Sequence, residues 1–275
     1  MTVENLFAAV VGDPIDHSLS PDLFAFFSKE MGRSLVYQKL NVKPGMLKEA
    51  LAKTEGQPWA GWSVTLPHKI EIKKYCTRLD SSAEAARAVN VLHFNGDERV
   101  GYNTDAEGFL APLKARHFSI KGRRALVLGA GGASRAVCSA LKAQDIGEIV
   151  VLNRTVERAR ELAQSCGGRW GGLESADRET EGADLVVNAT SLGLTEKISP
   201  INAGARFKQG ALAYDLVYRP RRTPFLKAAA DGGADTLGGM PMLAAQAAAA
   251  WKIWFGETLQ QGLVADAAKL LEESV

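Results

Sequence analysis

Arg124-Ala125-Leu126-Val127-Leu128-Gly129-Ala130-Gly131-Gly132-Ala133-Ser134-Arg135-Ala136 decides the fold class. A short apolar run enters a glycine-rich turn directly, and the small residues after the turn open a helical pattern. Strand, glycine turn and helix in that order make a cradle for a dinucleotide. Gly129 takes the tight turn, Gly131 lets backbone N–H groups approach a pyrophosphate, and the anion then lies at the positive end of the helix. Ser134 stands where the usual pattern has its third glycine.

The next apolar run, Glu148-Ile149-Val150-Val151-Leu152, ends in Asn153-Arg154-Thr155. A NAD-binding unit carries an acidic residue there for the ribose 2′-hydroxyl, whereas a guanidinium suits a 2′-phosphate. Arg158 follows one helical turn later and adds a second cation to the same pocket. The cofactor expected is therefore NADP.

With 275 residues, 46% of them hydrophobic and 23% charged, the chain is long enough and apolar enough for two domains with full cores. Lysine and arginine exceed aspartate and glutamate by 33 − 31 = 2, with no basic block, so nothing points to nucleic acid or an anionic membrane. Leu6 to Val11 is too short for a signal-peptide core and lacks a cationic lead-in. No apolar run approaches the ~20 residues that span a bilayer. Cys76, Cys138 and Cys166 are odd in number with no close pairing, and His17, His68, His93 and His117 are scattered. The expectation is a cytoplasmic protein with free thiols and no metal site.

Short β-rich runs alternate with helical patterns from Leu6 onward, which predicts an α/β architecture of mainly parallel sheets. Leu6–Val11 reads as a strand. Ser20-Pro21-Asp22 reads as a helix start with Ser20 as cap, and Gly32 as its stop. Strands follow at 36–42 and 61–66 around a helix at 44–54, then a helix at 83–88 and a hairpin turning at Asn95-Gly96, with Thr104 or Asp105 capping the next helix. Strands at Ala125, Ile149, Leu185 and Leu212 make up the dinucleotide unit, and the chain after Met240 is helical.

Three segments outside that unit are polar where a strand end meets a helix start. In the first, Ser18 and Ser20 stand beside a helix N-terminus, where hydroxyls and N–H groups together suit a carboxylate. In Gly61-Trp62-Ser63-Val64-Thr65-Leu66-Pro67-His68-Lys69, strand alternation sends Ser63 and Thr65 to one face, and Lys69 follows at the carboxyl end, where α/β folds bind substrates. The third is Gly101-Tyr102-Asn103-Thr104-Asp105. Trp59 and Trp62 flank the second segment and read as core.

Together with the dinucleotide unit, these segments resemble the shikimate dehydrogenase family along the whole chain. The resemblance runs from Ser18-Leu19-Ser20-Pro21 through Val64-Thr65-Leu66-Pro67-His68-Lys69, Asn90, Asn103-Thr104-Asp105 and Asn153-Arg154-Thr155. It continues through Asn188-Ala189-Thr190-Ser191 and Tyr214-Asp215-Leu216-Val217-Tyr218 to Gly239-Met240-Pro241-Met242-Leu243-Ala244-Ala245-Gln246. It implies two α/β domains across a cleft: 1–105 plus 240–275 for the substrate, and a Rossmann-type NADP domain over 106–239. It implies that Ser18 and Ser20 hold a substrate carboxylate. Ser63, Thr65, Lys69, Asn90, Asp105, Tyr218 and Gln246 are implied to face the ring, with Lys69 and Asp105 as the catalytic pair. Gly129, Ala130, Gly131, Gly132 and Ala133 match the pyrophosphate turn, Asn153, Arg154, Thr155 and Arg158 the 2′-phosphate pocket, and Thr190, Leu216 and Gly239 the rest of the cofactor cleft.

The activity so implied is reversible, NADP-dependent reduction of 3-dehydroshikimate to shikimate in aromatic amino-acid (chorismate) biosynthesis, by a monomer or homodimer. Ketone reduction leaves negative charge on oxygen, so a proton donor must stand near it; Lys69 is of that type, and Asp105 would orient it. Three positions depart from the family: Ser63 where many members have asparagine, Val91 where threonine is common, and Arg219 where asparagine is common. They bear on substrate preference. A quinate/shikimate or aminoshikimate dehydrogenase is the alternative within the class, and Ser18, smaller than threonine, favours shikimate over quinate with its extra hydroxyl. A non-catalytic sensor of a shikimate-like metabolite would need neither the glycine turn nor both Lys69 and Asp105, and no DNA-binding segment accompanies them.

Overall fold

The computed structural model describes residues 6–195 and 197–274; residues 1–5, 196 and 275 of the expected domains lie outside the described residues. The chain divides into two compact units, one running to Gly108 and including Ala244–Leu271, the other formed by Phe109–Leu243 and the residues from Glu272 onward.

The first unit begins with β1 (Leu6–Gly12), α1 (Ser20–Glu30), β2 (Leu35–Asn41), α2 (Leu47–Ala52) and β3 (Trp59–Val64). A 3₁₀ turn at Glu71–Tyr75 precedes β4 (Arg78–Leu79), α3 (Ser81–Ala86), β5 (Val91–Asn95) and β6 (Glu98–Tyr102), and α4 (Asp105–Ala115) crosses the division. The sheet order is β2-β1-β3-β5-β6-β4. β1 pairs in parallel with β2 and β3, and β4 with β6, while β5 alone runs antiparallel to its neighbours β3 and β6, so this sheet is mainly parallel with one reversed strand. The reason is local: Gly96, with φ +58°, closes a hairpin that returns the chain beside itself.

Several boundaries move from the sequence reading. β3 ends at Val64, so Thr65 and Leu66 lie past the strand, and α2 is shorter than 44–54. Ser20 is the first helical residue of α1, not its cap; Leu19 holds that position, with Pro21 inside the first turn. Leu23, Phe24 and Phe27 form the buried face of α1. The two phenylalanines join an aromatic cluster that seats the longest helix, Met240–Phe255: Phe24 stacks on Tyr37 at 4.4 Å between ring centroids, and Phe27 meets Trp251 edge-on. Burying each such ring contributes roughly 2 kcal/mol or more. Trp62 is fully buried, as core packing requires.

The second unit holds β7 (Arg124–Leu128), α5 (Gly132–Ala143), β8 (Glu148–Leu152), α6 (Val156–Cys166) and β9 (Arg169–Gly171). A 3₁₀ turn, α7 (Ala176–Thr180), β10 (Leu185–Asn188), β11 (Leu212–Asp215), α8 (Pro224–Asp231) and β12 (Asp235–Leu237) complete it. Every pairing in the order β12-β11-β10-β7-β8-β9 is parallel. Helical crossovers on both faces explain why Leu126, Leu128, Val150, Leu152 and Val186 on one face and Val127, Val151 and Val187 on the other are all buried. This is the doubly wound order, with the connections reversing between β7 and β10, where such sheets place their ligands.

α9 (Met240–Phe255) and α10 (Gln261–Glu273) follow. In the first unit α9 lies against β3 and β5. A side-chain carbon on Gly61 would stand 2.2 Å from both Trp254 Nε1 and Leu92 O, and the indole N–H donates to Leu92 O at 3.2 Å. That close approach fixes the register of Gln246, two turns earlier on α9.

Candidate functional site

In the first unit the polar residues converge on one buried network. Lys69 Nζ donates to Asp105 Oδ2 at 2.5 Å. The other carboxylate oxygen accepts from Asn90 Nδ2 at 2.9 Å, and the same amide nitrogen lies 3.0 Å from Thr104 Oγ1 and 3.3 Å from Gln246 Oε1. Asn90 Oδ1 in turn accepts from the Thr104 N–H at 2.7 Å. One asparagine thereby ties together the end of β6, the start of α4 and α9. Lys69 keeps 13% of its side chain exposed and Asp105 only 5%. A charge pair this dry persists because both carboxylate oxygens are hydrogen-bonded.

Each of these side chains is held from behind by backbone. Val89 N–H donates to Lys69 O at 2.8 Å, and His68, fully buried, places Nε2 2.5 Å from Val42 O, anchoring the turn that presents Lys69. Asn103 Oδ1 accepts the Asp105 N–H at 3.1 Å. Thr104 holds the cap position, as expected, its carbonyl accepting the Gly108 N–H at 2.9 Å, while Asn103 takes the Asp105 N–H and the Asp105 carboxylate is left to Lys69 and Asn90.

Ser18, Ser20 and Ser63 make two smaller contacts. Ser18 Oγ accepts the Ser20 N–H at 3.3 Å, taking the capping job expected of Ser20. The Tyr37 phenol donates to Ser63 Oγ at 2.8 Å. Burial pushes the Tyr37 phenol up, so it stays a neutral donor. Sequence reasoning missed Tyr37; the available signal was its place as the one aromatic residue of an edge strand, paired in register with Ala8 of β1. Thr65 sits just past β3, its N–H bonded to Val11 O at 2.9 Å and its methyl packed where a side chain on Gly12 would be.

The second unit offers backbone instead. Gly129 has φ +108°, and a carbon added there would lie 2.8 Å from Ala189 O, so the turn packs directly on the segment that carries Thr190. Gly131, extended at φ −85°, has nothing within 4 Å of an added carbon: its face is open. Ser134 Oγ accepts the Gly131 N–H at 3.2 Å, which gives the residue in the third-glycine position a role in closing the turn. Gly239 packs on Leu216, whose carbonyl would stand 2.6 Å from an added carbon. Arg154 and Arg158 are exposed, and neither has an ion-pair partner among the described residues. Asn153 Nδ2 donates to Thr155 O at 2.9 Å, and Thr155 precedes α6 as its cap residue. An open glycine face, a helix N-terminus and two uncommitted guanidiniums fit a dinucleotide bearing a 2′-phosphate.

Thr190 and Leu216 are both held by Asn188, whose backbone carbonyl accepts the Leu216 N–H at 2.9 Å and whose amide rests on the Asp215 carboxylate. Asn188 Oδ1 accepts from the Thr190 hydroxyl at 2.7 Å, Asn188 Nδ2 donates to Asp215 Oδ1 at 2.9 Å, and Thr223 Oγ1 donates to Asp215 Oδ2 at 2.5 Å. Burial pushes Asp215 up to about 7 against these hydrogen bonds. Tyr218 lies three residues beyond, in the second unit, whereas Lys69 and Asp105 belong to the first. Among the described residues no helix is long and apolar enough to cross a membrane, and no group of three His, Cys, Asp or Glu side chains is placed to hold a metal ion.

Residues 10–92 match the shikimate dehydrogenase substrate binding domain, and residues 112–198 match shikimate/quinate 5-dehydrogenase. Shikimate dehydrogenase (NADP(+)) of Moorella thermoacetica is 42% identical over 90% of this chain and 87% of its own. The enzyme of the same name from Nitrosopumilus maritimus is 37% identical over 90% of this chain and 92% of its own. Shikimate 5-dehydrogenase of Thermus thermophilus, solved in complex with NADP(H) and shikimate, superposes with a TM-score of 0.86 at 38% identity, covering 96% of this chain and 99% of its own. On these matches the chain belongs to the shikimate dehydrogenase family.

Proposed function

We propose that this protein interconverts 3-dehydroshikimate and shikimate with NADP, the first unit binding substrate and the second holding the cofactor. The observation that carries the reading is the Lys69–Asp105–Asn90 network, a proton donor locked to a buried carboxylate in a chain of this family. When bound, NADPH supplies hydride to the ketone carbon. Lys69 Nζ delivers a proton to the ketone oxygen as negative charge develops there, and takes it back from the hydroxyl in the oxidation direction. Asp105, pinned by Asn90, keeps the Lys69 ammonium aimed and accepts a hydrogen bond from a neighbouring ring hydroxyl. Ser18 and Ser20, with the N-terminus of α1, suit the substrate carboxylate. Thr65, Ser63, Asn90 and Gln246 are left for ring hydroxyls. For the cofactor, Gly129 to Ala133 take the pyrophosphate, and Arg154 and Arg158 the 2′-phosphate.

Purified protein mixed with shikimate and NADP, with shikimate and NAD, and with quinate and each cofactor, tests the reading through nicotinamide absorbance. Fast reduction with shikimate and NADP alone is expected. Quinate turnover at a comparable rate would reassign the protein to broad quinate/shikimate specificity, and shikimate binding with no turnover would leave a sensor.

A further inference from the structure

The Tyr37 phenol has no part in the mechanism above, yet the first sheet leaves it a path to Ser63. In register, Tyr37 of β2 lies opposite Ala8 of β1, and Ala8 lies opposite Gly61 of β3. A methyl and a hydrogen thus stand where larger side chains would block the ring, and Ser63, two residues beyond Gly61, shares that face. The 2.8 Å bond from Tyr37 Oη to Ser63 Oγ spans β1, a reach of two strand spacings of ~4.8 Å that a tyrosine can bridge and a shorter polar side chain cannot. Phe24 stacks on the Tyr37 ring at 4.4 Å with 10° between planes, and Trp254, which packs on Gly61, flanks it at 6.4 Å. A ring held on two sides has one place for its hydroxyl. A phenol is a stronger acid than an aliphatic hydroxyl and so the better donor; its proton takes a Ser63 lone pair, and the Ser63 proton is left to point elsewhere. Ser63 is only 8% exposed, which leaves that proton little water. Its chain neighbour Val64 donates its N–H to Asn90 O at 2.7 Å, so Ser63 stands beside the residue that ties the Lys69–Asp105 network together.

We propose that Tyr37 is a positioning residue for substrate recognition: by donating to Ser63 it fixes the Ser63 hydroxyl as a donor to a ring hydroxyl of the substrate. The inference rests on the functional reading above and deepens it. A lone serine hydroxyl samples its staggered rotamers and turns its hydrogen toward any acceptor. The Tyr37 bond selects one of those states and occupies one lone pair, so the hydroxyl meets the substrate as a donor. Ser63 stands where many members of the family have asparagine, whose amide carries its N–H groups in a fixed plane. The phenol supplies from β2 the orientation that the shorter side chain lacks. A ring hydroxyl that does not react is held alike in the ground state and the transition state, so this contact belongs to KM and not to kcat.

Tyr37→Phe keeps the ring and its stack on Phe24 and removes only the donor. It is expected to raise the KM for shikimate about 5-fold with kcat within about twofold of wild type and the KM for NADP unmoved. Ser63→Ala is expected to raise the shikimate KM about 10-fold. The double variant Tyr37→Phe/Ser63→Ala should match Ser63→Ala within about twofold, because the phenol acts through the serine, whereas independent effects would multiply to about 50-fold. Urea melts run alongside check the fold of each variant, and the KM-against-kcat split of Tyr37→Phe stands by itself where Ser63→Ala, which strands the phenol, is too unstable to assay. A wild-type KM in Tyr37→Phe, a loss in kcat instead of KM, or a double variant near 50-fold overturns the proposal, and shikimate turnover by the wild type then leaves the functional reading intact. A wild-type protein that does not turn over shikimate overturns both.

Discussion

The two sites solve recognition in opposite ways. Around Lys69, side chains do the work: Asp105, Asn90, Thr104 and Gln246 come from distant parts of the first unit and lock each other in a dry network. Around Gly131, the absence of side chains does it: an open backbone face precedes a helix N-terminus, and the cations proposed for the 2′-phosphate are two exposed arginines. The difference follows from what each must bind. A proton donor for a developing alkoxide has to be placed to within a fraction of an ångström, which a fully satisfied polar network achieves. A pyrophosphate carries charge over many oxygens and accepts any row of N–H groups, so a short local motif suffices.

The sharpest break in this comparison is Lys69→Ala. It is expected to lower kcat by roughly 10²- to 10⁴-fold while NADPH affinity stays within about threefold, because it removes a donor from one site and touches nothing in the other. Steady-state kinetics with a separate NADPH titration by fluorescence reads both. A drop of less than tenfold would remove Lys69 from the proton-transfer role.

The converse variant is Arg154→Ala. Loss of one charge-assisted contact corresponds to about 1.5–3 kcal/mol, or roughly 10- to 100-fold weaker NADP binding, with NAD binding unmoved and kcat at saturation preserved. An equal loss for both dinucleotides would show that Arg154 acts on something other than the 2′-phosphate.

The glycine turn can be divided in the same spirit. Gly129→Ala places a side chain at φ +108° and 2.8 Å from Ala189 O, so it is expected to cost on the order of 1–3 kcal/mol of stability. Gly131→Ala meets nothing within 4 Å and has an ordinary backbone, so the fold keeps its denaturation midpoint and NADP affinity falls by about tenfold as the methyl holds phosphate off the N–H groups. Urea melts paired with NADPH titration distinguish the two; a Gly131→Ala protein with wild-type affinity would contradict the cradle.

Asp215 adds a test that depends on pH. Its folded-state value of about 7 stands above the ordinary carboxylate range, so between about pH 4 and 7 the folded chain keeps a proton that the unfolded chain has released. Its contribution is complete below that window and is lost as pH rises through 7, by at most a few kcal/mol at ~1.4 per unit. Asp215→Asn preserves an acceptor for Asn188 and the Val217 N–H. It should flatten this dependence, raising stability relative to wild type more at pH 8 than at pH 5. Parallel pH profiles for both proteins would refute this assignment.

What the sequence revealed follows the same division. The glycine turn and the arginine after the second strand are local, so residues 124–158 were legible from spacing alone. Lys69, Asn90, Asp105 and Gln246 meet only through tertiary packing. Their separate segments are polar but ambiguous, and a family resemblance, not spacing, joined them. The cap of α1 misled because Ser20 is a good cap by residue type and the fold gave its N–H to Ser18; at α4 Thr104 holds the cap position, and Asn103 takes the Asp105 N–H, leaving that carboxylate to the network. Tyr37 stayed hidden because one phenol in a strand has no periodic signal. Short strands such as β4, β9 and β12 carry too few residues for alternation to register.

The most direct test of the division of labour is a single preparation of Lys69→Ala assayed for shikimate turnover and NADPH binding side by side with wild type. The account predicts turnover lost by two orders of magnitude or more with the NADPH dissociation constant essentially unchanged. Retained turnover, or turnover and NADPH affinity falling together, would contradict it.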